Sequence, residues 1–469
     1  METLRRCFPS SIRQTLNELP TTLDETYERT LLEIPEEKWK HAHRLFQCLV
    51  VSFRPLHIDE LAEVLAIRFD SETTPDLIQG WRPENTEDAV LSACSSLIAI
   101  IDVDNCPVVQ FSHFSVKEFL TSNRLTTAQS KNVTRYHIPP EPAHTILAQA
   151  CLGTLLNLDE HIDKNRLKNY PLAFYAAQYW FKHARFGNVS LSIRDSVGPI
   201  FDSGKPQFSA WIWVHDVCEL EGYIEDLPER PSRPKKTPLW YSAMCGFRSL
   251  TEQLIAIYPN DINPPDGSDW SPLSGAVEYG HVDVARLLLE HGASPNPVTD
   301  SWTLLHYASC SDNNDGVGLL LEHGADVDCA IDGGRTPLHL ASSNGRVKAM
   351  QKLLEYGANV NVQRDHGWTP LHAAAMDGSP EGVRLLLRHG ANVNDKDRSS
   401  WTALHWASLK GRREITQALL EYGADVHVRS NFDQTPFQIA SAKGHRDVVQ
   451  LLLEHGAEAE PSGLVGLSP

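Results

Sequence analysis

One short phrase, Thr or Ser followed by two apolar residues, returns along the second half of the chain at Thr237, Ser271, Thr303, Thr336, Thr369, Thr402 and Thr435, in steps of 34, 32, 33, 33, 33 and 33 residues. A second phrase, His or Tyr then Gly-Ala, keeps the same beat at Gly292, Gly324, Gly357, Gly390, Gly423 and Gly456. Self-similarity at this period demands a stack of like units, because each unit is too small to bury its apolar face without neighbours.

The unit starting at Thr336 can be read residue by residue. Thr336 caps a helix, and Pro337 sits in the first turn, where no N–H donor is needed. Gly345 breaks that helix. A second helix, from Val347 to Tyr356, carries Met350, Leu353 and Leu354 on one face, and Gly357 stands where a left-handed terminator is wanted. The chain then turns outward through Asn359-Val360-Asn361. The inter-helix glycine recurs at Gly246, Gly280, Gly378, Gly411 and Gly444, with Asp312 in its place in the Thr303 unit. The first unit has Tyr258-Pro259-Asn260 instead of the Gly-Ala phrase, so its second helix has to end by another device.

The beat and the phrase Thr336-Pro337-Leu338-His339-Leu340-Ala341 resemble ankyrin repeats over residues 237–459, about seven units. The terminal departures, Trp240, Ser274 and Gln438 in place of the phrase histidine, suit atypical end repeats. The resemblance implies protein binding through a concave face and projecting hairpins. His306, His339, His372 and His405 stand one repeat apart, so they do not converge on one ion, and a structural hydrogen-bonding role is expected of them.

Just before each Thr or Ser stands Trp270, Trp302, Arg335, Trp368, Trp401 or Gln434, a ladder expected on the hairpins. Trp and Arg dominate protein interfaces, which makes these six the candidate partner-binding residues. The competing reading is that the indoles pack on neighbouring hairpins and stiffen the array. Asp300, Asp332, Asp365, Asp397 and Asp433 on the same edge are explained by turn chemistry.

A length of 469 residues suggests about three units at roughly 150 residues each. The expected division is an N-terminal helical remnant over 1–21, a winged-helix-like domain over 22–125, a helical domain over 126–226, a linker over 227–236, the repeats over 237–459 and a tail over 460–469. The fold class is therefore mostly α: a winged-helix-like and helical half, then an ankyrin-type α-solenoid with short β-hairpin turns.

In the first half, Thr22-x-x-Glu25 is a capping box ahead of a helix with Tyr27, Leu31 and Ile34 inward. Helices are expected at 36–53, 58–67 and 87–97, then two strands around Asp104-Asn105 and a helix holding Val116, Phe119 and Leu120. That order suits a winged helix. No Lys or Arg lies between Arg82 and Lys117, and the candidate recognition helix carries Glu87 and Asp88, so contacts to guanine or phosphate are missing and no nucleic-acid partner is expected. Aromatic residues Phe174, Tyr175, Tyr179 and Trp180 belong to a helical run over 171–186 and read as core.

The stretches Leu19 to Arg29, Arg54-Pro55-Leu56, Glu60 to Ala66 and Phe111 to Leu120 resemble the winged-helix segment of fungal NACHT-type signalling ATPases. In that family an NTPase domain precedes the winged helix and repeats often follow. The resemblance maps a nucleotide-contacting histidine onto His113. This sequence, however, has no G-x-x-x-x-G-K-[ST], and Gly204-Lys205 is followed by Pro206, so the phosphate cradle is absent and a core role is expected for His113. An upstream NTPase would belong to a longer form, the chain being a natural short form or a truncated gene model.

Net charge −18 disfavours nucleic acid and anionic membranes as partners. Nine dispersed cysteines without a C-x-x-C pair suit a reducing compartment, and no apolar run reaches the length of a membrane span, so a cytoplasmic site is expected. No hydrolase motif, metal set or cofactor site is present in the sequence, and the expected function is a non-enzymatic protein-interaction scaffold in signalling or ligand sensing. The alternative is the regulatory portion of a nucleotide-dependent switch.

Overall fold

The computed structural model describes residues 22–69, 74–94, 96–103, 106–128, 130–218, 234, 236–264, 271–296, 302–311 and 313–458. The expected remnant over 1–21, the turn Asp104-Asn105, Trp270, Asp300, Asp312, the tail and nearly all of the linker lie outside them. The chain forms two compact units, residues 1–235 and 236–469.

The first unit opens with helix α1 (Leu23–Leu32), where Thr22 Oγ1 accepts the Glu25 N–H at 3.1 Å. Tyr27 and Leu31 face inward, as their spacing predicts. Helix α2 (Trp39–Val51), strand β1 (Leu56–His57) and helix α3 (Ile58–Val64) follow. A short pair, β2 (Ile67–Arg68) with β3 (Asp76–Leu77), precedes helix α4 (Thr86–Cys94), strands β4 (Ile98–Val103) and β5 (Cys106–Phe111), and helix α5 (Phe114–Thr121). β5 lies between β1 and β4, with Leu56 opposite Val109 and Ile100 opposite Val109 on its other side. Helices followed by a hairpin that pairs back onto a short first strand make a winged helix. Strand β1 has only two residues, too few for alternation to reveal.

Three longer helices complete this unit, Pro140–Leu156, Ala173–Ala184 and Pro206–Cys218. Their core is aromatic: Trp180 meets Trp211 edge-on at 5.6 Å, and Phe201 meets Trp211 at 5.2 Å. Buried polar groups join them to the winged helix. Glu63, 3% exposed, takes an Arg82 guanidinium on one oxygen and the Leu172 N–H, at 2.7 Å, on the other. The Tyr175 hydroxyl accepts from the Phe53 N–H at 3.1 Å and pairs with His183 Nε2 at 2.9 Å, while His183 Nδ1 shares a hydrogen bond with His144 Nδ1 at 2.7 Å.

Among the described residues the second unit contains seven helix pairs. First helices run from Pro238–Cys245 to Pro436–Lys443, and second helices from Arg248–Ile257 to Arg446–Glu454. The inter-helix glycines 246, 280, 345, 411 and 444 have φ between 65° and 76°, the left-handed region in which a Cβ is strained. Gly378 differs: its φ is −80°, and the reason for glycine there is space, because an added Cβ would collide with the Ser342 carbonyl oxygen and stand 2.8 Å from Ala374 Cα. Second helices close as expected, Gly357 at φ 86° with Ala358 N–H bonded to the Leu353 carbonyl at 2.9 Å. The first unit instead ends in a 3₁₀ turn, Pro259–Ile262.

An amide ladder holds the repeats in register. Asn263, Asn296, Asn361 and Asn394 each donate from Nδ2 to the glycine carbonyl of the following unit (Gly292, Gly324, Gly390 and Gly423), and each accepts through Oδ1 a backbone N–H two residues beyond that glycine. Asp328 occupies the third place and, lacking a donor, only accepts, from Asn359 N–H at 3.1 Å.

Candidate functional site

The site is built on the hairpins between repeats, and the buried histidines hold those hairpins in place. His339, His372 and His405 accept a backbone N–H from Thr336, Thr369 and Thr402 at Nδ1 (3.3, 3.1 and 3.1 Å), so the ring proton sits on Nε2. Nε2–H then donates to the carbonyl of a ladder residue in the next hairpin: Trp368 at 3.0 Å, Trp401 at 3.1 Å and Gln434 at 3.2 Å. His306 reaches the Arg335 carbonyl at 2.9 Å in the same way. Burial keeps these rings neutral, pushing His339 and His405 down to about 4 and lowering His306 and His372. Both nitrogens are engaged in the fold, which is the structural role expected of them.

The ladder backbone therefore points inward while its side chains point out. Trp302, Arg335, Trp368 and Trp401 are half-buried, Gln434 is exposed, and Trp270 lies outside the described residues. Consecutive hairpins are also bonded directly, Asp365 N–H to the Gly333 carbonyl at 2.7 Å, Arg398 to His366 at 2.8 Å and Asn431 to Ser399 at 3.0 Å. The ladder thus stands on a stiffened edge.

Two of its indoles converge on a residue the sequence reading did not single out. Trp406, on the first helix one place after His405, lies 4.7 Å from Trp368 and 4.7 Å from Trp401, centroid to centroid. Asp397, 7% exposed, holds this cluster by accepting from Ser399 N–H at 2.8 Å, Trp401 N–H at 2.9 Å and Trp406 Nε1–H at 3.3 Å. The Arg364 guanidinium lies over Trp368 at 4.6 Å. At the equivalent place three repeats earlier Tyr307 is exposed and packs 5.3 Å from Trp302. An aromatic directly after the phrase histidine, at Tyr307 and Trp406, was the available signal. Packing on neighbours and outward exposure thus coexist in the same side chains. Beyond Gln434 the last hairpin presents Phe432, 74% exposed.

The winged-helix candidate differs from expectation. His113 is not in the core. It is exposed at the N-cap of α5, where Nδ1 accepts the Ser115 N–H at 3.2 Å, and Phe114 beside it is 70% exposed. The chain leaves β5 at Phe111, and Val116 and Phe119 take the interior instead. Helix α4 carries Glu87 and Asp88 in its first turn. Among the described residues no group of three or more His, Cys, Asp or Glu side chains is placed to hold a metal ion, and no helix is long and apolar enough to cross a membrane.

Comparison with known proteins agrees with both halves. A family profile described as ankyrin repeats (3 copies) matches residues 221–299, 295–364, 361–430 and 397–462, together just over half of the chain. A profile described as GPI inositol-deacylase, winged helix domain, matches residues 28–131. The chain is 30% identical over 296 residues to azaphilone pigments biosynthesis cluster protein L of Monascus ruber, covering 59% of this chain and 61% of that protein. It is 33% identical over 102 residues to human BCL-6 corepressor-like protein 1, covering 22% of this chain and 6% of that protein. It is 31% identical over 100 residues to ankyrin repeat protein nuc-2 of Neurospora crassa, covering 21% and 9%. The chain thus spans less than two thirds of the length of each of these relatives.

Proposed function

The chain belongs to the ankyrin-repeat proteins, and from that premise we propose that it is a non-enzymatic scaffold that grips one protein partner along the concave face and hairpins, in signalling or ligand sensing, in the cytoplasm. The observation that carries this reading is the ladder itself. Trp302, Arg335, Trp368 and Trp401 present large half-buried side chains on the hairpins, and the backbone of the last three is bonded to the buried histidines behind them. Side chains held this way lose little conformational freedom on binding, and preorganisation of that kind favours affinity. Neither nucleic acid nor a metal cofactor is part of the proposal.

The Trp368→Ala, Trp401→Ala double variant tests it. Proteins captured by proximity labelling with the parent chain should be lost with a variant whose melting curve is unchanged. A folded variant that keeps every captured protein removes the ladder from the binding surface.

A second reading is favoured by the winged-helix match over residues 28–131 and by the surface position of His113. In it the chain is the regulatory part of a NACHT-type switch whose NTPase belongs to a longer form. Calorimetry with ATP and ADP plus magnesium distinguishes the two. Binding lost on His113→Ala favours the switch, and absence of binding leaves the scaffold.

A further inference from the structure

Four cations stand together on the middle hairpins, Arg335, Arg364, Lys396 and Arg398, and among the described residues none of them has an ion-pair partner. Three other cations of the repeats are paired across neighbouring units, Arg384 with Glu421 at 3.7 Å, Lys410 with Asp377 at 3.5 Å and Arg286 with Glu322 at 3.8 Å. Arg364, Lys396 and Arg398 line a cleft of about 430 Å³ that spans three successive hairpins. Its floor is backbone, since a Cβ on Gly334 would stand 3.2 Å from Arg364 Cα and one on Gly367 3.4 Å from Asp397 Cα.

Two carboxylates also line this cleft, and they are not equivalent. Asp397 is buried and already receives three donors from its own repeat. Asp365 is exposed and contributes one negative charge against three lining cations. Partial burial and the charge of Arg335 act against the Arg364 cation, only partly offset by Asp365, and an incoming anion would favour it further. The Arg364 guanidinium carbon meanwhile lies 4.6 Å from the centroid of the Trp368 ring, a cation–π contact that favours this placement of the side chain.

We propose that this cleft takes an acidic segment of the protein partner, with Asp or Glu carboxylates set against Arg335, Arg364, Lys396 and Arg398 and an adjoining apolar side chain against Trp368 and Trp406. The proposal rests on the ladder being the binding surface. It adds the chemistry of the partner, a carboxylate-rich peptide, and explains how a chain of net charge −18 engages an acidic ligand: the attraction is local, within a Debye length of roughly 8 Å in physiological salt.

The test uses the full chain and fluorescein-labelled peptides of alternating Glu and Phe, with a Gln-Phe counterpart, followed by anisotropy at low and high salt. The Glu peptide should bind about tenfold or more tightly than the Gln peptide, with that advantage shrinking in salt and lost in an Arg335→Gln, Arg364→Gln variant. Equal binding of the two peptides overturns the proposal, as does undiminished Glu-peptide binding by the arginine variant. If both peptides bind equally and Trp368→Ala, Trp401→Ala abolishes both, the acidic specificity falls and the ladder survives as a binding surface. If neither peptide binds, the acidic specificity is likewise overturned, and photo-crosslinking at Trp302 and Gln434 then decides whether the ladder falls with it.

Discussion

His372 bridges two repeats by donating from Nε2 to the backbone carbonyl of Trp401, 3.1 Å away, while its Nδ1 accepts from Thr369 at the start of its own unit. The same arrangement at His339 and His405 puts neutral imidazoles at the joints of the solenoid and fixes where the ladder side chains stand.

Acid should loosen the solenoid. His339 and His405 titrate at about 4 when folded, against an ordinary value of 6.5. A depressed histidine is neutral in the folded state, so its stability is whole above pH about 6.5, declines as pH falls toward about 4 and is level below that, a loss on the order of 2 to 3 kcal/mol per histidine. Urea unfolding across this range measures it. His339→Gln should flatten the profile, since Gln438 already fills this place in the last repeat and accepts the Thr435 N–H at 3.0 Å. An unchanged profile would remove His339 as a source of the acid sensitivity.

The amide ladder has a weak rung at Asp328. Asp328→Asn should raise stability by about 0.5–1 kcal/mol by adding a donor toward the Gly357 carbonyl, and Asn361→Asp should lower it by about 1 kcal/mol by removing one. Denaturant midpoints of the two variants should therefore move in opposite directions.

Gly378 and Gly345 should respond differently to alanine. At Gly345 the nearest atom to a new Cβ is 3.4 Å away and only the left-handed backbone is strained, so the cost is about 1 kcal/mol. At Gly378 the Cβ meets the Ser342 carbonyl and Ala374, and the cost should exceed about 2 kcal/mol as the two repeats are pushed apart. Thermal melts of the two variants check the order.

In the first unit, Arg82→Ala should destabilise by about 3–5 kcal/mol, because it leaves the Glu63 carboxylate buried with the Leu172 N–H as its remaining close partner. Arg82→Ala with Glu63→Leu should recover much of that loss. A single variant as stable as the parent would show that the pair is not needed to join the winged helix to the helices behind it.

Much of this architecture is legible in the sequence, for reasons that can be traced. The solenoid shows itself because Thr336, Gly345 and Gly357 are each required by local backbone geometry, and the requirement repeats. The histidine bridges are less visible, since His339 and Trp368 are 29 residues apart and only stacking brings them together. Trp406 escaped because the ladder was traced at the residue before each Thr, whereas its partners approach from two different hairpins. The absence of a phosphate cradle does not by itself bury His113: the strand ends at Phe111, and the ring serves as an exposed helix cap. Gly378 looks like the other inter-helix glycines in sequence, and its distinct constraint comes from Ser342 one repeat away.

The central claim is that the hairpin ladder is where a partner sits, and photo-crosslinking measures it most directly. A benzophenone amino acid placed singly at Trp302, Gln434 and, on second-helix ends, Tyr356 and Tyr422 would be irradiated in the native cells. The account predicts protein adducts at Trp302 and Gln434 and none at Tyr356 or Tyr422. Adducts confined to Tyr356 and Tyr422, or absent from all four positions, would contradict it.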